Sequence, residues 1–234
     1  MEIKNAKYEN ENKRRYKIIS SKNSASYRTT DNKVLKRFLN NRYYLDVSRT
    51  HQNGFVRYLK ELSFLDNPNF VLPEVAYVTG IDTVISYLRE YIFGTSLGDL
   101  YPKTDVNSLI NAIDNLYNNL SRSKEFSLDG INAKDIIYTG ETLKVTNFDL
   151  SSFNYQNNFK HNSDKLDYVI FSGLFGIDIA DLSSINEEYL TLIMELLTHK
   201  INIVEYLNDY QQALIKSGEN PKYIRTLQNR LIHK

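Results

Sequence analysis

A change of pattern near residue 94 constrains the fold of this chain more than any other feature of its sequence. Before that point, short runs alternate apolar and polar side chains as strands do, and one stretch has helical spacing. After it, apolar residues recur at helical spacing and are interrupted by one hairpin pattern. A chain of 234 residues divided in this way is expected to form an α+β fold with two unequal parts.

The first part is expected to be a small sheet with one helix. Residues 48–65 carry Phe55, Leu59 and Leu62 on one predicted helix face. Residues 1–15 are polar and charged, which suits either a loose arm or an added edge of the sheet. The strand-type runs are Tyr16–Ser20, Lys33–Leu39, Phe70–Val78 and Thr83–Ile92.

The second part is expected to be mainly helical. Thr104 is the predicted N-cap of a helix that runs to Leu120 with one apolar stripe. Ser184 and Glu187 have the spacing of a capping box at the start of a later helix. The other predicted elements are a hairpin, Ile136–Thr139 with Leu143–Phe148, and helices over Leu166–Phe175, Ile201–Ile215 and the tail from Pro221.

Composition excludes several classes of protein and site. The apolar fraction of 41% is enough for a core, and a formal net charge of +1 gives no whole-molecule field to attract nucleic acid or an anionic membrane. The absence of cysteine excludes disulfides and thiolate metal sites. The N-terminus has no apolar stretch of the length that a signal peptide or membrane anchor requires, so a cytoplasmic location is expected.

Several short motifs occur in an order that is known from one family. Val34-Leu35-Lys36 is similar to a strand motif that ends in lysine, V-A-I-K, and Glu90–Leu100 is similar to a linker of the form E-Y-x-x-G-x-S-L-x-D-L. Lys144–Asp149 is similar to K-I-T-D-F-G, and Asp167–Gly173 is similar to a helix that carries a buried aspartate. Together with the turn at Pro68-Asn69, these motifs resemble the protein-kinase family over most of the chain.

The resemblance implies an α+β fold of the two-lobe, protein-kinase-like kind. Its parts would be an N-terminal arm (1–15), a small mainly-β N-lobe (16–93) and a reduced helical C-lobe with C-terminal helices (94–234). The implied chemistry is transfer of the γ-phosphate of ATP to a hydroxyl, with ATP and Mg²⁺ as cofactors. Such a transfer depends on positioning and charge neutralisation more than on covalent help from the protein.

The nucleotide-binding residues that the resemblance implies come from the first part. Lys36 would grip the phosphates, and Lys33 is the alternative lysine on the same strand. The partner of Lys36 would be Glu61, the only acidic residue of its predicted helix, although counting along the family pattern reaches Tyr58 instead. The backbone groups expected to bind adenine belong to Glu90, Tyr91 and Ile92.

The catalytic and metal-binding residues that the resemblance implies come from the second part. Asp129 aligns with the aspartate that orients the incoming hydroxyl, and its alternative role is to cap a turn with Gly130. Asp135 and Asn147 stand where the family has a metal-binding asparagine and aspartate, and this exchange conserves total charge. Asp149 is close enough in sequence to contribute. A carboxylate with an amide oxygen suits Mg²⁺, and the alternative is that the site has decayed.

Departures from the family pattern argue against efficient transfer. The loop Ser20–Tyr27 has no glycine to let the backbone close over phosphates, and Ser127 stands near the position of the family's catalytic-loop histidine. Matching Asp135 to the family's asparagine requires one extra residue after Asp129. No A-P-E motif ends the stretch between residues 149 and 167, which argues against docking of a peptide substrate.

These observations predict a pseudokinase, or a weak ATP-dependent phosphotransferase, that serves as a regulatory or binding module. One alternative is an active Ser/Thr-type or small-molecule kinase, and another is an interaction domain that binds no nucleotide. A protein partner or substrate is expected, whereas nucleic acid and membrane are not. Asp167 is expected to be structural and to support the backbone of the catalytic loop from its own helix.

Overall fold

The N-terminal part of the protein is mainly sheet and the C-terminal part is mainly helical, as the sequence pattern predicts. The α+β class is therefore confirmed. The structure, a computed structural model, describes residues 1–11, 14–20, 24–39, 54–80, 83–154, 156–177 and 182–232.

Six strands form the N-terminal sheet, and they are β1 (Glu2–Asn5), β2 (Arg14–Ser20), β3 (Ser24–Thr29), β4 (Lys33–Phe38), β5 (Pro73–Thr79) and β6 (Thr83–Glu90). Their order across the sheet is β1-β5-β6-β4-β3-β2. Neighbouring strands are antiparallel except for β1, which runs parallel to β5 at one edge. Glu2–Asn5 therefore form an added edge of the sheet, which is one of the two alternatives predicted for residues 1–15.

One helix, α1 (Phe55–Leu62), packs against this sheet. Its buried face is the one that the spacing predicts, because Phe55, Leu59 and Leu62 are all buried. The ring of Phe55 meets that of Phe38 at the end of β4, with centroids 5.7 Å apart. The first part of the predicted helix over 48–65 lies outside the described residues.

The C-terminal part contains five helices in its described segments, and they are α2 (Val106–Leu120), α3 (Phe159–Phe175), α4 (Glu187–Leu197), α5 (Ile203–Lys216) and α6 (Ile224–Leu231). Short strands lie among them: β7 (Thr95–Ser96), β8 (Phe126–Ser127), β9 (Ile136–Tyr138), β10 (Leu143–Val145) and β11 (Ser152–Phe153). β10, β9 and β7 form one small sheet, and β11 pairs with β8. Among the described helices, none has both the length and the apolarity needed to cross a membrane.

The predicted starts of three helices need correction. The N-cap of α2 is Asp105 rather than Thr104, because the Asp105 carboxylate accepts a hydrogen bond from the Ser108 N–H at 2.9 Å. The capping box predicted at Ser184 is also wrong, since Ser184 lies in a 3₁₀ turn and α4 begins at Glu187. α3 begins at Phe159, well before the predicted start at Leu166, because its first turns are polar and give no apolar periodicity.

Backbone hydrogen bonds join the hairpin β9–β10 to the N-terminal part. The Val71 N–H donates to the Val145 carbonyl at 2.9 Å, and the Val145 N–H donates to the Asn69 carbonyl at 2.7 Å. Gly94 lies against the same hairpin, where a Cβ would collide with the Tyr138 carbonyl oxygen. The connection after β6 is thus held close to the hairpin, and one hydrophobic core runs from α1 through the hairpin to the C-terminal helices.

Candidate functional site

A cleft of about 290 Å³ lies between the N-terminal sheet and the β9–β10 hairpin. β4 and β6 supply one wall, the connection after β6 supplies the end, and the segments beside β9 and β10 supply the opposite wall. Its volume is at the lower end of the range for small-molecule sites. The side chains that matter below are Val34, Lys36, Arg89, Tyr91, Asp135 and Asn147.

Lys36 connects the two walls of the cleft. It is 8% exposed, and its Nζ donates to Asn147 Oδ1 at 2.9 Å and to Asp149 Oδ2 at 2.5 Å. The Tyr87 hydroxyl donates to the other oxygen of Asp149 at 3.0 Å. The alternative lysine, Lys33, instead pairs on the surface with Glu74 at 2.6 Å. The strand therefore sends Lys36 into the cleft and Lys33 outward.

Glu61 is not the acidic partner of Lys36. Its carboxylate pairs with Arg57, one turn back on α1, at 2.9 Å. The residue of α1 that faces the site is Tyr58, which is buried and donates its hydroxyl to the Phe148 carbonyl at 2.5 Å. Burial raises the pKa of Tyr58, so this hydroxyl stays a donor at neutral pH. α1 thus fixes the backbone between Asn147 and Asp149 through a neutral hydrogen bond.

Asp135 lies on the opposite wall in a short 3₁₀ turn. Its Oδ2 accepts from the Asn132 N–H at 3.0 Å and from Asn132 Nδ2 at 2.5 Å, which completes a capping box. Burial raises the pKa of the Asp135 carboxyl, and the bond from Asn132 opposes that rise. The Thr146 N–H donates to the Asp135 carbonyl at 2.9 Å. This bond places Asp135 next to the strand end that carries Asn147.

The oxygen atoms near the cleft differ in how well they fit a divalent cation. Asp149 is committed, because both of its oxygens accept hydrogen bonds, from Lys36 and Tyr87. Asp135 and Asn147 line the cleft together and offer one carboxylate and one amide oxygen. Mg²⁺ is often held by one or two protein oxygens, with phosphate and water completing the shell. The Asp135 carboxylate and the Asn147 amide oxygen would be the ligands of Mg²⁺, and Asn147 Oδ1 would share the ion with Lys36, from which it also accepts. Both oxygens of Asp149 are taken by Lys36 and Tyr87.

Asp129 lies outside the lining of the cleft and is held by side chains. Ser127 Oγ donates to its Oδ2 at 2.7 Å, while His161 Nε2 and Lys165 Nζ lie 3.3 and 3.5 Å from its Oδ1. Partial burial on its own raises the pKa of Asp129, but the bonds from Ser127 and His161 and the charge of Lys165 bring the pKa below its ordinary value. Among the described residues, the partners of the Asp129 carboxylate are side chains. Simple capping of the turn at Gly130 would instead require backbone N–H groups as partners.

Asn162, rather than Asp167, supports the loop that leads to Asp129. The fully buried Asn162 accepts from the Leu128 N–H at 2.8 Å and donates to the Phe126 carbonyl at 2.7 Å. Asp167 accepts instead from the Tyr117 hydroxyl at 2.6 Å and from the Ile203 N–H at 2.8 Å, at the start of α5. Sequence reasoning missed Asn162, although a polar residue in line with the buried Leu166, Val169 and Ile170 was the available signal.

The connection after β6 forms the end of the cleft. Tyr91 and Ile92 line it, whereas the side chain of Glu90 is exposed. The Tyr91 N–H donates to the Asn32 carbonyl at 3.2 Å. Arg89, which sequence reasoning also missed, lines the cleft beside them and donates from Nη1 to the Glu90 carbonyl at 3.2 Å. Its position directly before the predicted adenine-binding stretch at Glu90 was the signal for it.

Two comparisons with known proteins found no match, so the functional assignment rests on the geometry of the cleft. No protein-family model matches the chain. A search of the curated proteins also finds no match. What the protein binds must therefore be inferred from the charges and hydrogen-bonding groups around the cleft.

Proposed function

We propose that this chain is a protein-kinase-like nucleotide-binding module, a pseudokinase, that holds a nucleoside triphosphate in the cleft. The observation that carries the proposal is the position of Lys36, whose ammonium lies between Asn147 and Asp149 inside the cleft. An ammonium held at this depth by two oxygen ligands is a fixed positive charge that phosphate oxygens can share. The two-lobe arrangement, with the sheet as N-lobe, is part of the same proposal.

The charges around the cleft also support an anionic ligand. Among the described residues, Lys36, Arg89 and Lys134 line it against the carboxylate of Asp135, and the Asp149 carboxylate pairs with Lys36, which leaves one positive charge in excess. A recess with an excess of one charge concentrates ligands of the opposite sign. A triphosphate carries several negative charges, and the connection at Tyr91 and Ile92 offers backbone groups for its base. These features together favour a nucleotide over a neutral metabolite.

The proposal includes Mg²⁺, which Asp135 and Asn147 would hold. When bound, the ion would neutralise negative charge on the phosphates. Asp135 is held in place by Asn132, and Asn147 is held by Lys36, so both oxygens are oriented before any ligand arrives. Because Asn147 is neutral and Asp149 is bound to Lys36, this set offers less negative charge than two free carboxylates. Weak metal binding and slow chemistry are the expected consequences.

The nucleotide proposal predicts a rise in the unfolding temperature with ligand. Any ligand that binds only the folded state stabilises it, by about 2.7 kcal/mol at a concentration of 100 Kd. For a chain of this size, such a gain raises the midpoint by roughly 5–10 °C. The test is thermal unfolding of the full chain with each of the four common ribonucleoside triphosphates, with and without Mg²⁺.

Lys36→Ala is expected to remove the ligand-induced rise, measured against the same variant without ligand because the substitution also weakens the fold. Lys33→Ala is the matched control, since Lys33 is on the same strand and faces solvent with Glu74. It should keep the rise of the wild type. A wild type whose midpoint responds to none of the four nucleotides would overturn the proposal and favour a nucleotide-independent interaction domain.

The surroundings of Asp129 favour a second candidate, a weak phosphotransferase acting on a hydroxyl. Its carboxylate is partly exposed, and Ser127, His161 and Lys165 hold it in the ionised form. Asp129 lies outside the lining of the cleft, so an incoming hydroxyl would have to lie between its ionised carboxylate and the phosphates in order to donate a hydrogen bond to it. The support of its loop by the buried Asn162 fixes the backbone on which Asp129 is mounted.

Asp129→Asn is expected to lower any measurable phosphotransfer by about 100-fold or more and to leave the nucleotide-induced rise in midpoint unchanged. Because the pKa of Asp129 is lowered, the rate should stay constant as pH falls to the ordinary aspartate range and decline only below it. The measurement is hydrolysis or autophosphorylation with radiolabelled nucleotide across pH. Asp114→Asn, on the exposed face of α2, is the control. Unchanged transfer in Asp129→Asn would remove this second candidate.

A further inference from the structure

Arg89 occupies the part of the cleft where the base of a nucleotide is expected. In the register of the sheet, Val34 lies opposite Arg89 and Lys36 lies opposite Tyr87. Side chains two residues apart on a strand share a face, so Arg89 and Tyr87 face the same way. Lys36 and Tyr87 mark the end of the cleft that suits phosphates. Arg89 therefore lies one step further along, next to Tyr91 and the connection after β6.

The guanidinium of Arg89 has more donors than the surrounding protein satisfies. It carries five N–H groups in a planar fork. Nη1 donates to the Glu90 carbonyl, while Nε is buried and has no hydrogen-bond partner in the described parts of the chain. Burial lowers the pKa of the Arg89 guanidinium, and the nearby carboxylate of Asp135 offsets this only in part. The donors that a ligand in the cleft can reach are therefore the Nη groups, which form one edge of the planar fork.

Arg89 also competes for the backbone acceptor that an adenine would need. The amino group on adenine's ring is a donor, and the Glu90 carbonyl is the expected acceptor at the end of the cleft. Arg89 Nη1 already donates to that carbonyl at 3.2 Å. The amino group of an adenine bound here would therefore face the N–H donors of Arg89, and both would need the same carbonyl oxygen.

We propose that the cleft prefers a guanine nucleotide over an adenine nucleotide and that Arg89 makes this choice. Guanine presents two adjacent acceptors, O6 and N7, to which arginine donates as a bidentate pair. Adenine keeps N7 but replaces the O6 acceptor with the amino donor. The inference rests on the proposed nucleotide-binding function and names the base that this function uses. A good bidentate pair corresponds to a preference on the order of 10- to 100-fold in Kd.

The experiment measures Kd by isothermal titration calorimetry on the full chain with GTP, ATP and inosine triphosphate, all with Mg²⁺. Hypoxanthine, the base of inosine triphosphate, shares O6 and N7 with guanine and lacks only the 2-amino group. GTP and inosine triphosphate are therefore expected to bind with similar Kd values, both on the order of 10- to 100-fold tighter than ATP. Weak binding of inosine triphosphate would assign the preference to the 2-amino group and overturn the role of Arg89.

Two substitutions of Arg89 separate hydrogen bonding from charge. Arg89→Met removes the donors at similar length and should bring the Kd values for GTP and ATP close together. Arg89→Lys keeps the charge but loses the planar fork, so it should lose most of the preference as well. Arg57→Gln, at an exposed arginine of α1, should keep the ratio of the wild type. A GTP preference that survives both substitutions at Arg89 would overturn the inference.

The outcomes distinguish this inference from the proposed function. ATP binding as tight as GTP in the wild type would overturn the guanine preference and leave the nucleotide module standing. Binding of none of the three nucleotides would overturn both. If Arg89→Met does not fold, Arg89→Lys and the comparison of inosine triphosphate with ATP on the wild type still decide the question.

Discussion

Lys36→Met is expected to lower the free energy of unfolding by about 3–5 kcal/mol, the range observed when one partner of a buried ion pair is removed. The side chains of Lys36 and Asp149 are only 10% and 2% exposed, and their charged atoms are 2.5 Å apart. Methionine fills a similar space but has no ammonium group. The Asp149 carboxylate therefore stays buried without the positive charge of Lys36. Urea unfolding followed by circular dichroism measures the change.

Lys33→Met supplies the comparison for this pair. Lys33 is on the same strand, but its partner Glu74 is exposed, and such surface pairs contribute about 0–1 kcal/mol. The double variant Lys36→Met with Asp149→Leu removes both charges, and it should recover part of the loss because no unpaired charge remains. Equal losses in Lys36→Met and Lys33→Met would show that Lys36 does not take part in a buried pair.

Asn162→Leu is expected to lower the free energy of unfolding by roughly 2–5 kcal/mol, because it leaves two buried backbone groups without partners. These groups are the Leu128 N–H and the Phe126 carbonyl, which the Asn162 amide joins at 2.8 and 2.7 Å. Leucine branches at the same carbon as asparagine but is bulkier, so the loss includes overpacking at this fully buried site as well as the two lost hydrogen bonds. The Leu128 amide should also exchange with solvent faster in this variant, as measured by native-state hydrogen exchange.

Asn118→Leu is the matched control for Asn162→Leu. Asn118 lies on the exposed face of α2, where it donates to Asp114. Substitutions at such surface sites usually change stability by no more than about 0.5 kcal/mol. A loss in Asn162→Leu no larger than that of Asn118→Leu would contradict the assigned support of the loop before Asp129.

The sequence predicted the elements well where their signal is local. β4 occupies Lys33–Phe38, close to the predicted run, and the apolar stripe of α2 from Val106 to Leu120 is buried as its spacing requires. The paired strands of the β9–β10 hairpin were also predicted, because apolar and polar residues alternate on both sides of a glycine turn within a short segment. Helix starts were less predictable, since Thr104 and Asp105 are both good caps and the choice depends on which backbone N–H each one reaches.

The candidate site was predicted only in part, because its contacts join residues that are far apart in the chain. Residue type and motif order singled out Lys36, Asp135 and Asn147, and the structure brings these three to one cleft. The same reasoning chose Glu61 as the partner of Lys36, but Asp149 and Asn147 have that place. It chose Asp167 to support the loop before Asp129, but Asn162 does so. Packing between elements decides which of these polar groups reach each other, and spacing along one helix does not encode it.

The sequence by itself therefore determined the α+β class, the order of sheet and helices along the chain and the buried faces of α1 and α2, since these follow from the spacing of apolar residues. The tertiary structure decided which polar groups meet inside. In it, Lys36 pairs with Asp149, Asn162 hydrogen-bonds to the loop before Asp129, and Arg89 lines the cleft. The physical reason is that a buried polar group must find a partner in the packed interior, and packing decides which partner is within reach.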